Sequence, residues 1–465
     1  MPDNPMPSYE LVCNAQRTFF GAGHTFPYAF RKAQLKNLKR AVKEYEADIE
    51  KAIFADFGKP YMETYVTETG FLYAEIDAAL DNLKSWMRTE RVQTPLVLWP
   101  SQSKIISQPK GVTLIIGPWN YPFQLLLAPL VAAIAAGNTA VLKPSELTPH
   151  TAQVVEDIIS QTFDREYITV IQGAGTEVLP PLITNFRFDH IFFTGSVPVG
   201  RKIAEMAASQ LSPVTLELGG KSPGIVDASA DIAVAARRIA FGKWINAGQT
   251  CVAPDYILVH RSVEKAFMEA LKKNINAFYG PDPLTNDEGY TGIINKKRFE
   301  TLKSYLKQGT VIFGGKTDED TLRMEPTLLT DVHLDSPVMQ EEIFGPVLPV
   351  LVFNNIAEAR QIILKNPNPL ALYVFTGDKA IERSFTQELS FGGGAINNTV
   401  MHLGNPHLPF GGIGNSGFGN YHGKAGFDTF SHQKSVMKTS TWPDPSFKYP
   451  PYKGFAGKLV RWLLR

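Results

Sequence analysis

The sequence predicts an α/β protein with a parallel sheet and a second α/β domain. Three observations carry this. From residue 111 onward, short apolar runs alternate with helix-patterned segments, the signature of βαβ units whose sheet is covered on both faces. The alternation then restarts after "LELGGKSPGIVD" (216–227). Polar residues also recur at the carboxyl ends of the predicted strands, where such sheets bind ligands.

In chain order, residues 28–56 read as one long amphipathic helix, with Leu35, Leu38, Val42, Tyr45, Ile49 and Ile53 at steps of three and four. Residues 62–88 read as a second helix. The segment 92–111, "VQTPLVLWPSQSKIISQPKG", shows prolines and then alternation, which predicts an extended excursion outside the helical layers. The rhythm follows. "GVTLIIG" is a buried strand, "QLLLAPLVAAIAAG" a helix ending at Gly137, and "TAVLKP" a strand. "PHTAQVVEDIISQTF" is a helix with Pro149 suited to its first turn. "YITVI", "DHIFFTG" and "PVTLEL" are strands, separated by the helices "GTEVLPPLI" and "VGRKIAEMAASQ". The second domain opens with a helix over 231–245, a loop carrying Cys251, the strand "DYILVH" and a helix over 262–278. It runs to about residue 400, followed by a Gly-rich stretch and a basic, apolar tail, "GFAGKLVRWLLR".

Composition narrows the function. A length of 465 residues suits two or three domains, and 44% hydrophobic with 20% charged residues is ordinary for a globular protein. Forty-six Lys and Arg nearly cancel 45 Asp and Glu, so there is no basic excess for nucleic acid. Two cysteines make neither a disulfide framework nor a metal cage, which points to a reducing, cytoplasmic setting. The N-terminus lacks a basic region followed by an apolar core, so no secretory signal is expected. "LLLAPLVAAIAAG" is well short of the roughly 20 apolar residues that span a bilayer.

Several motif matches fail. "GGKS" (219–222) resembles the end of a P-loop, but Thr215 stands where that motif needs glycine. "GIGNSG" (412–417) fits G-x-G-x-x-G literally but follows no convincing strand and opens no helix. His402 and His407 lack companion carboxylates, so no metal site is expected.

Cys251, in "NAGQTCVAP", is different. A free cysteine is commonly a small buried hydrophobe. Here Ala247 and Gly248 leave space, Gln249 and Thr250 are polar, and the loop follows a helix, a common setting for a reactive group. A nucleophile needs a proton acceptor and a holder for an oxyanion. Asn120, in "PWNYP", is either a turn-former between prolines or such a holder. Glu217 ends a buried strand, where a carboxylate is costly unless paired or functional. "KPSE" (143–146), "FTGSVPVG" with Gly195 and Gly200, and "EEIFGPV" with Glu342 and Phe344 add polar or glycine positions at further element ends.

"PWNYP", "KPSE", "FTGSVPVG", "LELGGKSP", "GQTCVAP" and "EEIFGP" occur in the order and rough spacing of the aldehyde dehydrogenase superfamily. "MQEEIFGPVLPV", "LALYVF", "PFGGIGNSGFGNYHGKAGFDTFSHQK" and "YPPY" resemble its class 3 branch, which includes fatty aldehyde dehydrogenases. The resemblance covers essentially the whole chain. It implies a Rossmann-like cofactor domain (1–88 and 112–217), a second α/β catalytic domain (218–424), a small β oligomerisation arm (89–111 and 425–450) and a basic-apolar tail (451–465). It also implies NAD as cofactor, with NADP as an alternative, an apolar aldehyde substrate (medium- or long-chain aliphatic, or aromatic) and a homodimer.

Carried over motif by motif, the resemblance makes Cys251 the nucleophile, Asn120 and the Cys251 N–H the oxyanion donors, and Glu217 the base for the hydrolytic water. Lys143 and Glu146 hold the adenosine ribose, Gly195 and Ser196 lie by the pyrophosphate, and Glu342 and Phe344 lie by the nicotinamide ribose. Trp119 and Gly200 complete the expected cofactor contacts. The spacing from Gly195 to Gly200 lacks the middle glycine of the common fingerprint. Phe391 stands where relatives often carry a small residue, which bears on the shape of the aldehyde tunnel. Two other readings remain: an acylating enzyme passing its thioester to coenzyme A, and a non-catalytic protein that kept the fold. Glu217 argues against the first, and the intact set of Cys251, Glu217, Asn120 and Glu342 against the second. The tail suggests peripheral membrane contact through 454–465, against simple packing on its own protein.

Overall fold

The computed structural model describes residues 9–286, 289–451 and 454–463. Six strands form the first sheet, in the order Gly417–Phe418, Val214–Glu217, His190–Thr194, Val112–Ile116, Thr139–Lys143 and Ile168–Val170. All pairs are parallel except the first. Val112–Ile116 and Thr139–Lys143 are buried along their whole length, which is why they read as largely apolar runs. Helix Gln124–Ala136 is likewise buried throughout and ends on Gly137 in the left-handed conformation (φ +92°).

Seven strands form the second sheet, in the order Thr310–Phe313, Thr327–Thr330, Val347–Phe353, Tyr256–His260, Pro223–Val226, Ala371–Phe375 and Gly393–Ile396. Only its first pair is antiparallel. The protein is thus an α/β fold with Rossmann-like parallel sheets. The extended excursion forms Glu90–Val92 and Ser101–Pro109, which join Ser431–Thr439 in a separate antiparallel sheet of three strands.

Three expectations change. The helix read over 28–56 is two, Tyr28–Glu44 and Glu46–Phe57, broken at Tyr45 (φ −96°, ψ 6°). Glu46 and Asp48 then favour a new N-terminus through the helix dipole. The helix read over 62–88 is Tyr61–Thr64, a π-helical turn Tyr65–Thr69, and Gly70–Trp86. The wider turn buries Glu68 and Thr69. Finally, the Gly-rich stretch does not stay with the second sheet. Gly417–Phe418 pairs antiparallel with Val214–Glu217, placing Gly417 opposite Glu217.

Candidate active site

A cavity of about 690 Å³ opens where the carboxyl ends of the first sheet face the Cys251 loop and the Glu342 segment. Trp119, Asn120, Lys143, Glu146, Gly195, Ser196, Glu217, Cys251, Glu342 and Phe344 all line it. Gly200 does not. It sits buried in helix Val197–Ser209, where an added Cβ would lie 2.6 Å from the Leu218 side chain. Its role is close packing of helix on strand end, a known use of a glycine at this turn.

The Cys251 loop is held in an uncommon shape. Asn246, Ala247 and Gly248 lie consecutively in the left-handed region (φ +54°, +51° and +75°). For the two non-glycine residues this costs on the order of 1 kcal/mol or more each and needs an imposing surround. The surround is visible. Glu63 Oε1 accepts from the Asn246 N–H at 2.7 Å. Gln249 Nε2 donates to Asn246 O and Gly292 O, and its Oε1 accepts from the Ile294 N–H. A Cβ on Gly248 would collide with Gly345 O.

Cys251 is partly accessible to the cavity. Burial, then the Glu342 and Glu217 carboxyls, push its thiol up to about 12, against hydrogen bonds to sulfur from the Cys251 and Val252 N–H groups. Asn120 is buried and its Nδ2 donates to Gln249 O at 3.0 Å, tying the donor to the nucleophile's loop. Glu217 is buried, and neither carboxyl oxygen has a partner among the described residues. Burial alone pushes it well above the ordinary carboxyl range. A buried acid without a partner, facing a cavity beside a thiol, has the marks of a functional group.

The far end differs in character. Lys143 is buried and donates to Pro144 O at 2.7 Å and Glu146 Oε2 at 3.2 Å. Glu146 Oε1 accepts from the Gly175 N–H at 3.1 Å. Burial raises the Glu146 carboxyl, but the Glu146 and Gly175 N–H groups and the Lys143 ammonium outweigh it and hold it below its usual range. Ser196 precedes the helix Val197–Ser209, whose first N–H groups carry no side-chain cap. Trp119 and Phe344 meet edge-on, ring centres 5.3 Å apart. Burial, then the charge of Asp255, push Glu342 up to about 8, while the Gly220 N–H donates to it. The cleft thus sets an uncapped helix start between a paired acid and an aromatic pair, a setting that suits an anion-bearing ligand.

Sequence reasoning missed the supports. Arg298 donates to Glu342 O at 3.1 Å and to Ile343 O. Lys221 donates to Asp255 Oδ2 at 2.5 Å, to Val338 O at 2.8 Å and to Glu341 O at 2.9 Å, and Asp255 accepts from the Ile343 N–H. In the sequence Lys221 belongs both to the failed P-loop "GGKS" and to the motif "LELGGKSP", and the second was the available signal.

Residues 8–436 match the model of the aldehyde dehydrogenase family. The 4,4'-diaponeurosporen-aldehyde dehydrogenase of Staphylococcus aureus is 51% identical over 440 residues, covering 94% of this chain and 95% of that one. Aldehyde dehydrogenase family 3 member A2 of Macaca fascicularis is 44% identical over 94% of this chain and 90% of its own. A solved structure described as the substrate-bound state of Staphylococcus aureus AldH superposes with a TM-score of 0.96 at 49% identity, covering 99% of this chain and all of that one. The chain belongs to the aldehyde dehydrogenase family, as an aldehyde-oxidising enzyme of its class 3-like branch.

Proposed function

We propose that the protein oxidises an apolar aldehyde to its carboxylic acid through a covalent intermediate on Cys251, with NAD as electron acceptor. The carrying observation is that Cys251, Glu217 and Asn120 open on one cavity. The Cys251 thiol gives its proton to solvent, and the thiolate sulfur bonds to the aldehyde carbon as the carbonyl electron pair moves onto oxygen to make an oxyanion. The Asn120 Nδ2 hydrogen not given to Gln249, together with the Cys251 N–H, would hold that oxyanion; such a donor is typically worth about 100- to 1000-fold. NAD, when bound, supplies the acceptor for the hydride. Loss of hydride from the tetrahedral carbon leaves a thioester on Cys251. Water attacks the thioester carbon, Glu217 takes a proton from that water, and the carboxylic acid leaves as sulfur is released. The unpartnered oxygens of Glu217 support this base role.

The residues also fit the cofactor. Lys143 and Glu146 are set for the adenosine ribose, Gly195 and Ser196 for the pyrophosphate, and Trp119, Glu342 and Phe344 for the nicotinamide side, all on the same cavity. The first-sheet domain would hold NAD and the second would supply Cys251. The three-stranded sheet would form the arm of a homodimer. The aldehyde dehydrogenase family relationship, and the name of the Staphylococcus aureus relative, support an apolar aldehyde. Following NADH production with an aldehyde series of increasing chain length, with and without coenzyme A, tests the reading. A product acid formed without coenzyme A, and a preference for longer or aromatic aldehydes, are expected. Strict dependence on coenzyme A would make it an acylating enzyme.

Cofactor preference follows from Glu146. Held ionised by the Gly175 N–H and Lys143, it should accept from a ribose 2′-OH and repel a 2′-phosphate. The expected kcat/KM is higher with NAD than with NADP, and Glu146→Gln should narrow the gap. A wild-type preference for NADP would overturn this.

No helix among the described residues is long and apolar enough to cross a membrane. The tail forms a helix, Phe455–Leu463, with Phe455 and Trp462 exposed at 78% and 71%. Residues 452–453 and 464–465 lie outside the described residues. Exposed aromatic and basic residues on one short helix suit an interfacial position. Removing 454–465 should weaken sedimentation with anionic liposomes while leaving turnover of a soluble aldehyde unchanged. Equal sedimentation with and without the tail would end the membrane reading.

A further inference from the structure

We propose that the buried pair Lys59–Glu68 is a positioning device for the Asn120 amide. The inference rests on Asn120 being the oxyanion donor. Both side chains are fully buried, and Lys59 Nζ donates to Glu68 Oε1 at 2.8 Å. Glu68 lies in the π-helical turn Tyr65–Thr69, and such turns are often found at functional sites.

A buried ion pair is weak evidence for stability, because an apolar pair of similar volume commonly serves as well. What the pair does beyond filling space is bind backbone. Glu68 Oε2 accepts from the N–H groups of Phe123 (3.2 Å) and Gln124 (2.8 Å). These stand at the start of helix Gln124–Ala136, where N–H groups have no partner within the helix. Lys59 Nζ donates to the Asn120 carbonyl at 3.4 Å, an oxygen also held by Asn246 Nδ2 at 2.9 Å. The segment 120–124 is therefore gripped at both ends by one ion pair.

The grip extends to the nucleophile. Lys59 Nζ sits 4.1 Å from the centre of the Tyr121 ring. The Tyr121 hydroxyl lies 2.6 Å from Thr250 Oγ1, one residue before Cys251. The Asn120 amide itself donates to Gln249 O. Lys59 and Glu68 do not line the cavity themselves but fix the peptide of Asn120, which does.

Glu68→Gln tests this. It keeps the shape, but its amide donor opposes the Lys59 ammonium. Lys59→Met removes the cation from the other side. Each is made alone and together with Asn120→Ala. First-turnover NADH formation is followed by rapid mixing with NAD and excess aldehyde, and rates are scaled to the folded fraction from near-ultraviolet circular dichroism. Partial unfolding then leaves the rate readable. Either single variant should slow the first turnover by roughly 10- to 100-fold, the size of effect expected when a reacting group is misplaced by about 1 Å. In the Asn120→Ala background the same changes should alter the rate by less than about threefold, because residues acting through one group are not additive. Loss of folded fraction with an unchanged rate per folded site would overturn the proposal, leaving the pair purely structural. So would an equal factor with and without Asn120. If Asn120→Ala alone leaves the rate unchanged, the oxyanion reading itself fails and takes the proposal with it.

Discussion

Cys251→Ala should remove aldehyde-dependent NADH formation, a loss of roughly 10⁴-fold or more, with a nearly unchanged melting temperature. Without the sulfur no covalent adduct forms, so no tetrahedral carbon is available to lose hydride. The remaining cysteine, Cys13, cannot substitute. It is buried in helix Tyr9–Gly21, within a cluster built largely from one face of the first sheet, does not line the cavity, and burial pushes its thiol up to about 12. The same comparison reports on protonation. Thiolate is the reactive form, and burial, joined by the charges of Glu342 and Glu217 as they ionise, holds Cys251 as a thiol. Alkylation of Cys251 by iodoacetamide in the cofactor-free protein should therefore still be rising between pH 8 and 10, by about tenfold per unit. The Cys251→Ala protein supplies the background from Cys13. A plateau below pH 8 would show that the thiolate is already formed and that the two carboxyls are neutral there.

The strands were legible because a sheet buried on both faces is apolar at most of its positions. Val112–Ile116, Thr139–Lys143 and His190–Thr194 fall in such runs, and each is a strand. The site was legible for the converse reason. Polar residues at strand ends stand out against that background, and Asn120, Lys143, Glu217 and Cys251 converge on one cavity. What stayed hidden has no local signature. The break at Tyr45 leaves the apolar spacing of 28–56 in step, so periodicity could not reveal it. Gly417–Phe418 is too short and glycine-rich to carry strand alternation; only its partner Glu217 defines it. Gly200 packs on Leu218 away from the cavity, and a glycine at a strand-to-helix turn serves such close packing as readily as a ligand. Lys59 sits in the link between two helices, Glu63 and Glu68 on the helical segment that follows, and their partners lie far along the chain: Asn120 for Lys59, Asn246 for Glu63, Phe123 and Gln124 for Glu68. A pattern confined to neighbouring residues carries no information about such contacts.

Glu217→Gln should separate the two halves of the reaction. Glutamine keeps the shape of the side chain but cannot accept a proton from water. Cys251 should still acquire its acyl group, and rapid mixing with NAD and aldehyde should give about one NADH per active site before turnover slows. The steady rate should fall by roughly 100- to 10,000-fold, the usual contribution of a general base. Stability should move the other way. The Glu217 carboxyl, pushed up by burial, stays protonated in the folded chain at pH values where the unfolded chain has already ionised. Its contribution to stability is present below the ordinary carboxyl range and is lost as pH rises from there toward the folded value. Glutamine does not titrate, so the melting temperature of Glu217→Gln should gain on wild type as pH rises from about 4 toward neutrality. A slow first turnover in this variant would instead make Glu217 the group that activates the Cys251 thiol. A steady rate near wild type would exclude both roles. Glu342, whose carboxyl is pushed up to about 8 on the same cavity, would then be the base to substitute next, with a persistent thioester as the result that identifies it.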